Sequence, residues 1–230
     1  MTKTVLLAGA AMFALTGASY AGAPKAGVSG HFAKHVVFGV PAGSKTLYDQ
    51  NNNDSGVANT SQNFESSFDQ YDNMGADDFV VPKGHTWTVK EVDVTGQYRY
   101  SGGSALTANV AFYKNKKGLP GAVVASCDNA KTGDKNATGS FKIKLAKCAP
   151  ALKAGKYFVS VQANLDFSNP AAQWYWDTNT TPAGAAAAWQ DPNGGWAALG
   201  VPADCNTWQT LAHCLGSTGD WMFALKGTDS

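Results

Sequence analysis

The sequence is short of several things, and each shortage excludes something. No apolar run reaches the roughly 20 residues that a membrane-spanning helix needs, so no membrane span is expected. No excess of one charge exists either: 18 Lys and Arg stand against 17 Asp and Glu. Nucleic acid and anionic membranes select a surplus of cations, so neither is an expected partner. Charged residues are only 15% of the chain, a poor supply for helix surfaces, and no stretch beyond the first twenty residues shows a 3.6-residue apolar period of helical length. Catalytic signatures are missing as well. There is no Gly-x-Ser-x-Gly elbow, and Glu65 and Glu91 are the only glutamates. The expected chain is therefore not an enzyme. A hydrolase with a dispersed carboxylate site is the residual alternative, because such acids converge in space rather than in sequence.

What is present begins with an export signal. Met1-Thr2-Lys3-Thr4 precedes an apolar run from Val5 to Ala18, then Ser19-Tyr20-Ala21. A cation, a short apolar stretch and small residues at −3 and −1 make a signal peptide, cut before Gly22. Residues 1–21 are thus expected to leave, 22–47 to form a leader or edge strand, and 48–230 to form the domain. Loss of Lys3 levels the charges. The expected location is secreted, periplasmic or cell-surface. Cys127, Cys148, Cys205 and Cys214 allow three disulfide connectivities. Neighbour pairing, Cys127–Cys148 and Cys205–Cys214, is the simplest, and neither pair has the close spacing of a zinc site.

Gly, Asn, Ser, Thr and Ala are plentiful, which suits short strands joined by polar turns. Ser140-Phe141-Lys142-Ile143-Lys144-Leu145 alternates strictly between water-seeking and core-seeking side chains. From Tyr157 to Leu165, Tyr157, Val159, Val161, Ala163 and Leu165 share one face, with Phe158, Ser160, Gln162 and Asn164 on the other. Half-buried strands of this kind belong to antiparallel sheets. Trp87 and Val89 share one phase and Val92 and Val94 the opposite one, a slip at Lys90-Glu91 that a β-bulge produces. Turns are expected at Lys83-Gly84, at Leu119-Pro120-Gly121 and at Leu152–Lys156. A closing strand is expected at Trp221–Leu225, and Tyr48–Asp78 reads as a long polar loop or a hidden strand pair. The sum is an all-β, antiparallel two-sheet β-sandwich.

Three segments taken in order carry a resemblance: Ala76–Pro82 with Trp87-Thr88-Val89 and Gly96; Phe112-Tyr113 with Gly118–Gly121; and Gly219–Gly227. Together they resemble the jelly-roll-like accessory domains of bacterial secreted and surface proteins, some of which flank extracellular peptidases. The resemblance implies a β-sandwich of the exported proteome and no defined activity.

Two residue clusters are candidate sites. Trp174, Trp176, Trp189, Trp196 and Trp208 fall in one irregular, Gly- and Pro-rich region. Flat indole faces stack on sugar rings, so exposed they would form a polysaccharide platform; buried they would close the end of the sandwich. The second cluster is acidic. Asp49-x-Asn51-x-Asn53 starts like a helix–loop–helix calcium loop but has Asp54 and Thr60 where Gly and Glu are required. A different calcium site from Asp72, Asp77, Asp78 and Asp220 is the one metal the sequence has ligands for, against ordinary turn chemistry for the same residues. His31 and His35 lack the glutamate of a zinc protease. The expected function is binding of an extracellular ligand, with polysaccharide as the best guess. An envelope-protein partner, or a structural role in the envelope, is the alternative.

Overall fold

The computed structural model describes residues 43–99, 103–167 and 172–230. The export segment 1–21, most of the leader, and His31 and His35 lie outside them. In chain order the strands are β1 (Lys45–Asp49), β2 (Asp54–Thr60), β3 (Gln62–Asn63), β4 (Met74–Val94), β5 (Gly96–Arg99), β6 (Thr107–Lys116) and β7 (Leu119–Lys131). They continue with β8 (Phe141–Lys144), β9 (Ala151–Asn164), β10 (Gln173–Asn179), β11 (Ala188–Gln190), β12 (Gln209–Thr210) and β13 (Phe223–Asp229). The one α-helix among the described residues, α1, spans Leu211–Leu215, with a few 3-10 turns elsewhere.

The strands make two sheets. The larger follows the order β1-β13-β4-β9-β6-β7, with β8, β11 and β3 attached to its middle strands; the smaller is β2-β10-β5. Pairing is antiparallel except for β3 beside β9. The fold is the all-β sandwich that the alternation demands. Phe141, Ile143 and Leu145 are buried while Lys144 stays exposed. The polar stretch Tyr48–Asp78 hides two strands and the start of a third rather than forming one loop. The slip at Lys90 is present: β13 pairs Lys226 with Glu91 and the next residue, Gly227, with Val89, so β4 carries one extra residue there. Val92 and Val94 consequently face the core, and Glu91 and Asp93 face away from it.

Three local expectations are corrected. Lys83-Gly84 does not end a strand. It bulges out of a continuous β4, whose pairing with β9 jumps from Val81–Gly155 to Thr86–Lys153. Leu152–Lys156 is not a turn but the opposite side of that same bulge, inside β9. The β6–β7 turn is Lys117-Gly118, with φ of 57° and 85°; two positive φ values in a two-residue loop match the right-handed twist of a hairpin, and Gly takes one without strain. Pro120 sits just inside β7, an edge strand, where its missing N–H costs little.

The second face of β9 is the larger surprise. Phe158, Ser160 and Gln162 are buried like the first face. Residues between β10 and β13 fold back over the outside of the large sheet: β11 pairs with β4 through Ala188–Ala76 and Trp189–Gly75, and Trp208 meets Tyr113 edge-on at 5.6 Å. The disulfide Cys205–Cys214 closes this covering segment, and Cys127–Cys148 ties β7 to the turn after β8. Neighbour pairing of the cysteines is therefore what the fold uses.

Candidate functional site

The tryptophans do not form a platform. Trp174, Trp176 and Trp189 are fully buried and Trp196 nearly so. Each indole N–H has found a backbone carbonyl: Trp174 to Gly139 at 2.7 Å, Trp176 to Met222 at 2.7 Å, Trp189 to Thr60 at 2.9 Å and Trp196 to Tyr71 at 2.7 Å. Trp176 stacks on Trp221 with centroids 5.0 Å apart and meets Trp174 at 5.9 Å. A sugar ring needs an open indole face, and these faces are occupied by other aromatics. Alternation on β10 puts Trp174 and Trp176 on one side, but that side faces the large sheet. Trp208, half-buried, lies against Tyr113 apart from them.

The acidic cluster is brought together in part. Asp77, Asp78 and Asp220 are near neighbours, each bearing on the titration of another. Asp72 keeps other company, accepting from the Phe64 N–H at 2.8 Å beside Asp69 and Asp191. The carboxylates are engaged by backbone donors. Asp77 accepts from Asp78 N–H, from the Gln50 amide and from Trp221 N–H at 2.7–2.9 Å. Asp78 accepts from Ala185 N–H at 2.9 Å, and Asp220 from Ala183 and Ala187 N–H. These bonds pin the start of the covering segment to β4; an added Cβ at Gly184 would collide with the Asp78 carboxylate. Burial pushes all of them up: Asp78 and Asp72 to about 6, Asp220 upward, and Asp77 well above the usual carboxylate range with the Asp220 charge adding to it.

Among the described residues, the one trio of His, Cys, Asp or Glu ligand atoms lying within 4.8 Å of one another is Asp204, Cys205 and His213. Cys205 is in a disulfide, and His213 is already bonded to Asp204 at 3.0 Å. Asp77, Asp78 and Asp220 thus bind chiefly donors distant in the chain rather than capping their own turns, and Asp72 stands apart from them. Melts with millimolar calcium and with chelator are expected to coincide; a chelator-reversible rise in midpoint would restore a calcium site.

A different feature stands out on the surface. The overall charge balance hides a strong segregation: residues 114–156 hold ten lysines and two acids, whereas residues 46–82 hold seven acids and no Lys or Arg. Strand register gathers many of those lysines at one end of the large sheet. Lys114 lies opposite Tyr157, Lys156 opposite Val80, and Lys153 opposite Thr86 just past the bulge that carries Lys83. Lys116 and Lys117 form the adjoining hairpin tip. All six are exposed. Two acids lie close to this end: Asp229, opposite Trp87, is held by Lys45 at 2.9 Å and His85 at 2.8 Å, and Asp78 feels the Lys156 charge.

Within this basic end is a groove of about 320 Å³ lined by Lys114, Val124, Ala125, Leu152, Lys153 and Tyr157, with Pro150 and Ala151 completing it. Lys114 continues the core-facing row of Phe112; its ammonium lies 4.1 Å from the Tyr157 ring centroid and donates to the phenol at 2.7 Å. The phenol in turn donates to Lys153 C=O at 2.8 Å. The groove therefore has an apolar and aromatic floor, a fixed cation in Lys114 and a second lysine, Lys153, in its wall. Net charge alone could not reveal it; a running count of charge along the chain would have. No protein-family model matches the chain, and no curated protein matches it.

Proposed function

We propose that the chain is an exported, non-catalytic β-sandwich that binds an extracellular acidic polysaccharide at the lysine-lined groove. The observation that carries the reading is the gathering of Lys83, Lys114, Lys116, Lys117, Lys153 and Lys156 at the end of the large sheet where Lys114 and Lys153 line that groove. Repeated carboxylates or sulfates on a sugar polymer meet such a cluster at several points at once, and multivalency compensates for the weakness of each surface contact. The two disulfides suit an oxidising compartment, and no helix of the described residues is long and apolar enough to cross a membrane. A dispersed carboxylate hydrolase is disfavoured because Asp77 and Asp78 are buried and committed to backbone donors.

Affinity electrophoresis in gels containing polygalacturonate or alginate, beside neutral starch and xylan, tests it. Retardation by the acidic glycans is expected, weakening as salt rises. The combined Lys116→Gln, Lys117→Gln, Lys153→Gln and Lys156→Gln variant should lose about tenfold or more in affinity, equivalent to about 1.4 kcal/mol. Retardation by neutral glycans alone, by DNA in preference to acidic glycans, or by nothing would overturn the reading. Val123 and Val124 are exposed on edge strand β7 beside the groove, which favours the second reading, docking of an envelope protein. β7 resists simple strand addition, however, since its register against β6 shifts three times, and bulges are a means of protecting sheet edges.

A further inference from the structure

The face of β4 turned away from the core carries an unusual burial. Glu91 and Asp93, two residues apart and hence on one side of the strand, are 1% and 4% exposed. Lys226 on the adjacent β13, directly opposite Glu91 in register, is 6% exposed. Its ammonium nitrogen is in direct contact with Asp93 Oδ2 and lies 3.7 Å from Glu91 Oε1. Glu91 Oε1 and Asp93 Oδ1 are both buried without a hydrogen bond. Among the described residues, the other cations facing this group belong to β8: Lys142, half-buried, at 3.8 Å from Glu91 Oε1, and Lys144, exposed and opposite Glu91 in register.

Burying one amine and two carboxylates is costly, and an ion pair repays that cost only when the remaining lone pairs are satisfied. Here they are not. What the arrangement does supply is a nucleophile touching an electrophile, with a second carboxylate beside both and little access for competing water. We propose that Lys226 and Asp93 become joined by an intramolecular isopeptide bond, with Glu91 as the proton carrier.

The step balances without an external reagent. Glu91 takes a proton from the Lys226 ammonium, leaving a neutral amine. The Nζ lone pair attacks Cγ of protonated Asp93, forming the N–C bond. Glu91 gives its proton to the departing hydroxyl, the C–O bond breaks and one water leaves; the nitrogen then sheds its second proton to Glu91, which ends as the acid. Burial favours the acid form that this requires: Asp93 is pushed up to about 6 by desolvation, the Lys226 contact pulling down and Glu91 pushing up. Asp93 rather than Glu91 is the electrophile because the amine touches it. Lys226 rather than Lys142 is the nucleophile because it is the more buried and the closer. The product locks the last strand to β4 by a covalent bond that reducing agents do not break.

Intact mass under denaturing, fully reducing conditions decides the matter. The purified protein should weigh about 18 Da less, one water, than its sequence predicts from its determined N-terminus. A protease digest should contain one branched peptide joining the segments around Asp93 and Lys226. Lys226→Ala and Asp93→Ala should each restore the full mass, and Glu91→Gln should leave most of the chain uncondensed. Should a variant fail to fold, the wild-type mass and branched peptide suffice. A wild type of full mass, a deficit that survives Lys226→Ala, or complete condensation in Glu91→Gln would overturn the bond, its assignment or the role of Glu91 respectively.

Discussion

Trp176→Ala should unfold this protein or bring it close to unfolding. The indole is fully buried, stacks on Trp221, touches Trp174 and Phe223, and donates to the Met222 carbonyl. Truncating a buried tryptophan to alanine costs about 3–5 kcal/mol, and the abandoned carbonyl adds a penalty of its own. A domain of this size typically has about 5–15 kcal/mol in total, and each kcal/mol moves the midpoint by about 2–4 °C. A fall of about 10 °C or more is therefore expected by calorimetry. Trp208→Ala is the contrast: half-buried, with one edge-on ring contact to Tyr113, it should cost under about 2 kcal/mol. Equal melts for wild type and Trp176→Ala would contradict the packing described here. The experiment also separates structure from recognition, because any glycan affinity lost in Trp176→Ala should be lost through unfolding.

The contrast between these two residues shows what the sequence could reveal. Period-2 alternation was legible wherever one strand face met water, as at Phe141–Leu145, and the phase change across Lys90 announced a bulge that the register confirms. Neighbouring cysteines were paired correctly because a short loop is the least demanding closure. Burial on two faces was not legible. Phe158, Ser160 and Gln162 read as a polar-leaning outer face, yet all three are buried: Phe158 clusters with Ala188 and Trp208 of a segment with little strand signal of its own, and Gln162 donates to the Gln62 and Asn73 carbonyls. The same segment contributes Trp189 and Trp196, and the choice the sequence left open, indoles exposed or indoles closing the end of the sandwich, is decided for these two by burial. Its order comes from long-range anchors, such as Asp78 to Ala185 and Asp220 to Ala183, which no local pattern records. The lysine-lined groove escaped for another reason: a near-zero net charge averages away two oppositely charged halves. Lys226, Asp93 and Glu91 could be aligned only once strand register was known.

Acidification should stabilise this protein, with the thermal midpoint rising as pH falls from 8 toward 5. Asp77 is fully buried with three neutral hydrogen-bond donors, and its carboxyl is held well above the ordinary range by desolvation and then by Asp220. Asp177 is raised to about 7 by desolvation, with the Asp54 charge adding to it and the Gln97 amide opposing. Asp78 is raised to about 6. For an acid raised on folding, the native state binds more protons than the unfolded chain between the unfolded value near 4 and the folded value. Stability is then fully present below pH about 4 and declines as pH rises to 6–7, the reverse of the usual salt-bridged carboxylate. Asp204 and Asp229 are lowered by His213 and by Lys45 with His85; shifted downward, they matter only below pH about 4. Summed over Asp77, Asp78 and Asp177, an increase of about 2 kcal/mol or about 5 °C between pH 8 and 5 is expected. Asp177→Asn, neutral at every pH, should flatten part of that slope while keeping an acceptor for Gln97. A midpoint that stays level or falls on acidification would mean that these carboxylates remain ionised in the folded state.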